Sequence, residues 1–109
     1  MKSNATAGPG DRPWHVKFHR EVAKTIAKHG GLDSPAFVPT IRELTATLAS
    51  DPKRFPKKQG KLKDARAADV RFGAFVWRAV YTIDEDEHSV RVLSLGPHDR
   101  AYEDAEKRI

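Results

Sequence analysis

The sequence predicts an α+β domain, a small antiparallel sheet in the order β-α-α-β-β-β-α with its helices packed on one face. Three observations carry that prediction. Val70 to Asp84 is rich in β-branched and aromatic residues and reads as two strands interrupted at Gly73. Two stretches before it place apolar residues at helical spacing. Strands joined by short turns pair antiparallel, and such a sheet buries its apolar side under helices.

Met1 to Pro13 is rich in Ser, Asn, Gly and Pro and is expected to be a flexible tail, leaving residues 14–109 as the folded domain. Trp14 to Phe18 alternates apolar and polar residues, as a first strand does. His19 to His29 reads as a helix with Val22, Ala23, Ile26 and Ala27 on one face, stopped by Gly30 and Gly31. Ser34 is a good N-cap for a second helix, with Pro35 at its first position. Phe37, Ile41, Leu44 and Leu48 give that helix its apolar stripe, and Pro52 ends it near Ser50.

Lys53 to Ala67 holds Pro56, Gly60 and seven Lys or Arg and reads as a basic loop. Strands follow at 68–72 and 75–83, the second with Phe75, Trp77, Ala79, Tyr81 and Ile83 on a common face. A polar turn spans Asp84 to His88, and a last strand runs from Ser89 to Leu95. Gly96 and Pro97 break it, and Ala101 to Ile109 forms a terminal helix with Asp99 as a candidate N-cap.

A chain of 109 residues makes one domain with a modest core. No apolar run is long enough to span a bilayer, and the first residues lack the apolar region of a secretory signal. The absence of cysteine excludes disulfides, thiolate metal sites and cysteine nucleophiles, and fits a cytoplasmic location. His15 and His19 lie four apart, but His15 falls in a strand, so a helix cannot align them on a metal. Neither a metal nor a cofactor is expected.

Charge is concentrated. Lys53 to Arg78 carries nine Lys or Arg against two Asp, a local balance of +7 within a net +5. That clustering favours a polyanionic partner over a solvated face. Arg71 and Arg78 are seven apart, which on one straight strand would set them on opposite faces. A turn at Gly73 brings both to one surface.

Several pieces after Trp14 resemble the RelE/ParE superfamily of type II toxin–antitoxin toxins. They are the strand-helix-helix start, Lys61-Leu62-Lys63, and the Trp77-Arg78-Ala79-Val80-Tyr81 core, which is similar to the family's Tyr-Arg-x-x-Tyr pattern. Ile83-Asp84, the Val90 to Leu93 strand, and Gly96 followed by Tyr102 complete the order. The resemblance implies a toxin that cleaves mRNA on the ribosome, inhibits translation and is neutralised by a cognate antitoxin in a hetero-oligomer. It places the site on Arg71, Arg78, His98 and Tyr102. His98 stands where the family has an arginine after the glycine, and Asp69 where it has a further basic residue.

Metal-free RNA cleavage needs a base for the 2′-hydroxyl, positive charge on the phosphate, and an acid for the 5′-oxygen. Guanidinium forks suit Arg71 and Arg78 to the phosphate. His98 suits acid or base work near neutral pH, and Tyr102 suits stacking, orientation or proton donation. Lys57, Lys58, Lys61 and Lys63 suit an RNA backbone. Plainer roles stand beside these. Arg78 can snorkel to a carboxylate, Arg71 can be a surface charge, His98 can brace the turn, and Tyr102 can anchor the last helix. Trp77 and Phe75 read as core. Ala101, Ala105 and Ile109 are candidate antitoxin contacts or an inward face of the last helix. Two further functions share this sequence pattern: a ParE-like inhibitor of DNA gyrase, and a nucleic-acid-binding module without catalysis.

Overall fold

The computed structural model describes residues 12–29, 36–58 and 60–109. The expected tail to Asp11, the Gly30-Gly31 stop and the Ser34-Pro35 helix start lie outside them. The elements run β1 (His15–Phe18), α1 (Arg20–His29), α2 (Phe37–Ser50), β2 (Ala65–Phe72), β3 (Phe75–Asp84), β4 (Ser89–Gly96) and α3 (His98–Arg108), with a 3-10 turn at Gly60–Leu62.

The four strands form one sheet in the order β1-β4-β3-β2. β2, β3 and β4 are a meander of antiparallel neighbours, as the short turns require. The first strand departs from expectation. β1 joins the β4 edge parallel, so the sheet is mixed. No short turn ties β1 to a neighbour, and its direction is set by where α1 and α2 carry the chain. Backbone bonds from His15 N–H to His88 O (3.0 Å) and His19 N–H to Val92 O (2.9 Å) fix its register.

The helices also divide, correcting the expectation that they share one face. Val22 of α1 and Phe37, Ile41, Leu44 and Leu48 of α2 pack with Ala68, Val70, Ala79, Tyr81, Val90 and Val92. On the alternate side, Ala101 and Ala105 of α3 pack with Leu62, Ala65, Ala67, Val80 and Leu93. Successive strand residues point to opposite faces, and here both faces are apolar. A bulge helps β4 serve both. Val80 pairs with Ser94 and Tyr81 with Val92, so Leu93 is the extra residue and turns toward α3.

Local differences follow from packing. On α1 only Val22 is buried; Ala23 and Ala27 are exposed. β2 begins at Ala65, earlier than the basic composition suggested, because Ala65, Ala67 and Ala68 are small enough to lie under helices on either side. α3 begins at His98, with Pro97 at its N-cap and Asp99 inside the first turn. Phe75, expected in the core, is 70% exposed at the end of the β2–β3 hairpin.

Among the described residues, Tyr81 is the largest fully buried side chain. Its hydroxyl donates to the Pro52 carbonyl at 2.6 Å, and burial pushes the phenol up to about 12. That bond ties the α2–β2 connection to the sheet.

His19 starts α1. Its Nδ1 accepts the Glu21 backbone N–H at 3.1 Å. Desolvation, followed by the nearby Arg108 and Arg91 charges, lowers its pKa below 6.5. The folded state therefore favours neutral imidazole. Its contribution is complete above about pH 6.5 and is lost as pH falls through the lowered folded value. Urea midpoints at pH 7.5 and 5 should drop on acidification in wild type and drop less in His19→Asn, whose amide keeps the cap without titrating. Equal drops in both proteins would contradict this.

Candidate nucleic-acid interface

The β2–β3 hairpin builds the centre of the site. Phe72 pairs with Phe75 across Gly73 and Ala74, and Gly73 adopts φ +60° at the first central position. That is the conformation glycine accepts without strain and a type II′ hairpin demands. The turn sets Arg71 opposite Val76 and Arg78 opposite Asp69. Directly paired residues share a face, so Arg71, Asp69 and Arg78 all lie on the side that carries α3. The two arginines meet on one surface, as the sequence predicted.

α3 brings the other two residues. His98 and Tyr102 are one helical turn apart on neighbouring positions, and their rings meet edge to face at 4.7 Å. Tyr102 is half-buried against the Val80–Leu93 cluster, so it anchors the helix and faces the site together. Its hydroxyl accepts a hydrogen bond from Arg78 Nη1 at 2.9 Å. On the other side of the guanidinium, Arg78 Nε contacts Asp69 Oδ1 at 2.5 Å. The plainer reading of Arg78 is met, since it pairs with a carboxylate, and the same guanidinium also meets Tyr102. Lys58 Nζ lies 4.8 Å from the centre of the Tyr102 ring, a cation over an aromatic face.

His98 is exposed at the start of α3, and its Nδ1 lies 2.9 Å from Asp99 Oδ1. In the tautomer whose Nδ1–H donates to that carboxylate, Nε2 is the acceptor nitrogen. The result is an imidazole at the rim of a surface with an arginine, a tyrosine hydroxyl and a lysine beside it. Arg71 is exposed further along β2, its backbone carbonyl accepting from Thr40 Oγ1 at 3.3 Å.

The remaining lysines are more dispersed. Lys57 bridges Arg66 and lines a separate hollow with Lys53, Asp64 and Glu85. Lys61 and Lys63 are exposed at the 3-10 turn whose Leu62 is buried beneath α3. Only Lys58 of the four reaches the Tyr102 cluster. Sequence reasoning missed two partners, Asp69 on Arg78 and Asp99 on His98. The second was legible in adjacency; the first needed the hairpin register. Among the described residues no group of three or more His, Asp or Glu could hold a metal ion.

A second surface is apolar. His29, Phe37, Phe72, Phe75, Trp77 and Pro97 line an open groove of about 550 Å³ on the α1–α2 side of the hairpin. Phe37 stacks on Phe72 with ring centres 4.8 Å apart, and Trp77 meets Phe72 edge to face. By contrast, Ala101 and Ala105 are buried against the chain's own sheet, and only Ile109 of the candidate antitoxin contacts is exposed.

The molecule is thus a mixed four-stranded sheet with a helical pair on one face and a basic, aromatic cluster under a terminal helix. Solved structures with this fold include a double arginine-to-alanine mutant of the E. coli toxin RelE in the free state. It is 24% identical with a TM-score of 0.66, over 89% of this chain and 98% of that one. The toxin–antitoxin complex RelBE2 from Mycobacterium tuberculosis is 20% identical with a TM-score of 0.61, over 79% and 92%. The archaeal RelE–RelB complex from Pyrococcus horikoshii is 23% identical with a TM-score of 0.55, over 82% and 99%. No curated protein matches the sequence. The sequence model of the ParE toxin of the type II toxin–antitoxin system parDE matches residues 14–102, and the chain belongs to that family.

Proposed function

We propose that this chain is the toxin of a type II toxin–antitoxin system that inhibits translation in the cytoplasm by cleaving mRNA on the ribosome. The observation that carries the reading is the convergence of Arg78, Tyr102, Lys58 and His98 on one face. In this mechanism the 2′-oxygen attacks the adjacent phosphorus while a base takes its proton. The 5′-oxygen leaves with a proton from an acid, giving a 2′,3′-cyclic phosphate and a 5′-hydroxyl. Arg78 and Arg71 offset the charge on the phosphate. His98, held through Nδ1 by Asp99, presents Nε2 for proton transfer. Tyr102 orients the reacting group or stacks on a base. Lys57, Lys58, Lys61 and Lys63 hold RNA backbone through contacts that weaken with salt.

A cognate antitoxin is the expected partner, since two of the similar structures are toxin–antitoxin complexes. Among the described residues, the Phe37–Phe72–Phe75–Trp77 groove is an apolar surface suited to such a partner.

The family match favours a second reading, inhibition of DNA gyrase without RNA cleavage. The negative Asp69 within the basic face supports it too. Induction of wild type and His98→Ala in a bacterial host, with mapping of mRNA 5′ ends, separates the two. Growth arrest with in-frame cuts that vanish in the variant is the expected result. Arrest with intact mRNA and damaged DNA would replace it with the gyrase reading.

A further inference from the structure

We propose that Asp69 is a built-in competitor for phosphate at Arg78. Its carboxylate closes the guanidinium in the free protein and is displaced when a phosphodiester arrives. The inference rests on the reading of the Arg78 face as a phosphate-binding surface.

The geometry is that of an occupied anion site. β2 and β3 hold Asp69 directly opposite Arg78, and Oδ1 meets Nε at 2.5 Å. Nη1 is engaged by the Tyr102 hydroxyl at 2.9 Å. A guanidinium binds carboxylate and phosphate through the same fork of N–H groups, so the two acceptors exclude one another on one edge. Asp69 thus removes one donor edge and one unit of positive charge from the face on which a polyanion would land.

Two features make the closure reversible. The Asp69 side chain is 50% exposed, so on release it is hydrated by nearby water. Ion pairs of such exposure are weak. The neighbouring charges also favour exchange. Lys58 lies over the Tyr102 ring, Arg71 is two residues along β2 on the same face, and His98 abuts Tyr102. A phosphodiester spanning this face meets all of them, whereas Asp69 is anchored to the one arginine opposite it. The consequence is selectivity: isolated anions compete poorly with the resident carboxylate, and a strand carrying several phosphates competes well.

The opposite account is that Asp69 holds Arg78 in position for its ligand. The two differ in sign. Binding of a 2′-O-methyl RNA oligonucleotide, which cannot be cleaved through its 2′-oxygen, is measured by fluorescence anisotropy over a range of salt. Wild type, Asp69→Asn, Arg78→Gln and the double variant are compared, each with its thermal midpoint as a check of folding. Asp69→Asn should tighten binding by about fivefold, the scale of an exposed ion pair. It should also steepen the salt dependence by about 0.7 in the log–log slope, as one more phosphate contact on a single strand would. The gain should disappear in the double variant. Unchanged or weaker binding by Asp69→Asn, or a gain that persists without Arg78, overturns the proposal while salt-dependent binding leaves the phosphate surface standing. Absence of salt-dependent binding in every protein overturns both.

Discussion

On the proposed ribonuclease reading, replacing Arg78 with alanine is expected to lower RNA cleavage by about 10²–10³-fold, the range associated with loss of one preorganised donor to a developing anion. Two losses combine. The phosphate loses its nearest guanidinium, and Tyr102 loses the Nη1 donor that fixes its hydroxyl at 2.9 Å. Arg78→Lys keeps the charge without the fork and should recover only part of the rate. The fold should survive, since the Asp69 left behind is half-exposed and becomes hydrated. Single-turnover cleavage of mRNA on programmed ribosomes, with circular dichroism as the folding control, measures the effect. A folded Arg78→Ala protein with the wild-type rate would remove Arg78 from the chemistry.

Leu48→Ala should be among the most destabilising substitutions of its size. Leu48 is fully buried in α2, in the cluster that includes Tyr81, Val90 and Val92. Truncating a buried leucine costs about 2–5 kcal/mol through lost transfer energy and the cavity left behind. Domains of this size have only about 5–15 kcal/mol in total, and each kcal/mol moves the midpoint by roughly 4–8 °C. The internal comparison is Val38→Ala on the same helix, where the side chain is 36% exposed and the loss should be far smaller. Urea unfolding of both variants tests the difference. Similar costs for the two would mean that α2 does not pack as described.

The parallel β1, the division of the helices and the Asp69 pair share a reason for escaping sequence reasoning. Each depends on residues far apart in the chain. β1 finds its partner 74 residues on, His15 against Ser89, across both helices and two strands. Period-2 alternation says that a strand has two faces, but when both carry apolar residues it does not say which helix covers which. Ala67 and Ala68 are equally small and apolar, and only packing assigns one to α3 and the other to α1 and α2. Phe75 was misplaced because alternation continues to the end of β3, whereas helix cover stops short of the hairpin.

What the sequence determined by itself is what local chemistry enforces. The Phe37–Ile41–Leu44–Leu48 stripe specified the buried face of α2. Gly73 specified a hairpin that returns Arg78 to the face of Arg71, because positive φ is open to glycine and a two-residue turn fixes the register. The tertiary structure alone decided which charges meet. It set α3 on the sheet face that carries Arg78, so that the Tyr102 hydroxyl meets the guanidinium and His98 meets the Tyr102 ring. It also set a carboxylate against that guanidinium, where sequence composition showed only an excess of positive charge. Charge along a chain is additive, but the field at one atom depends on distance, and distance between strands is a property of the fold.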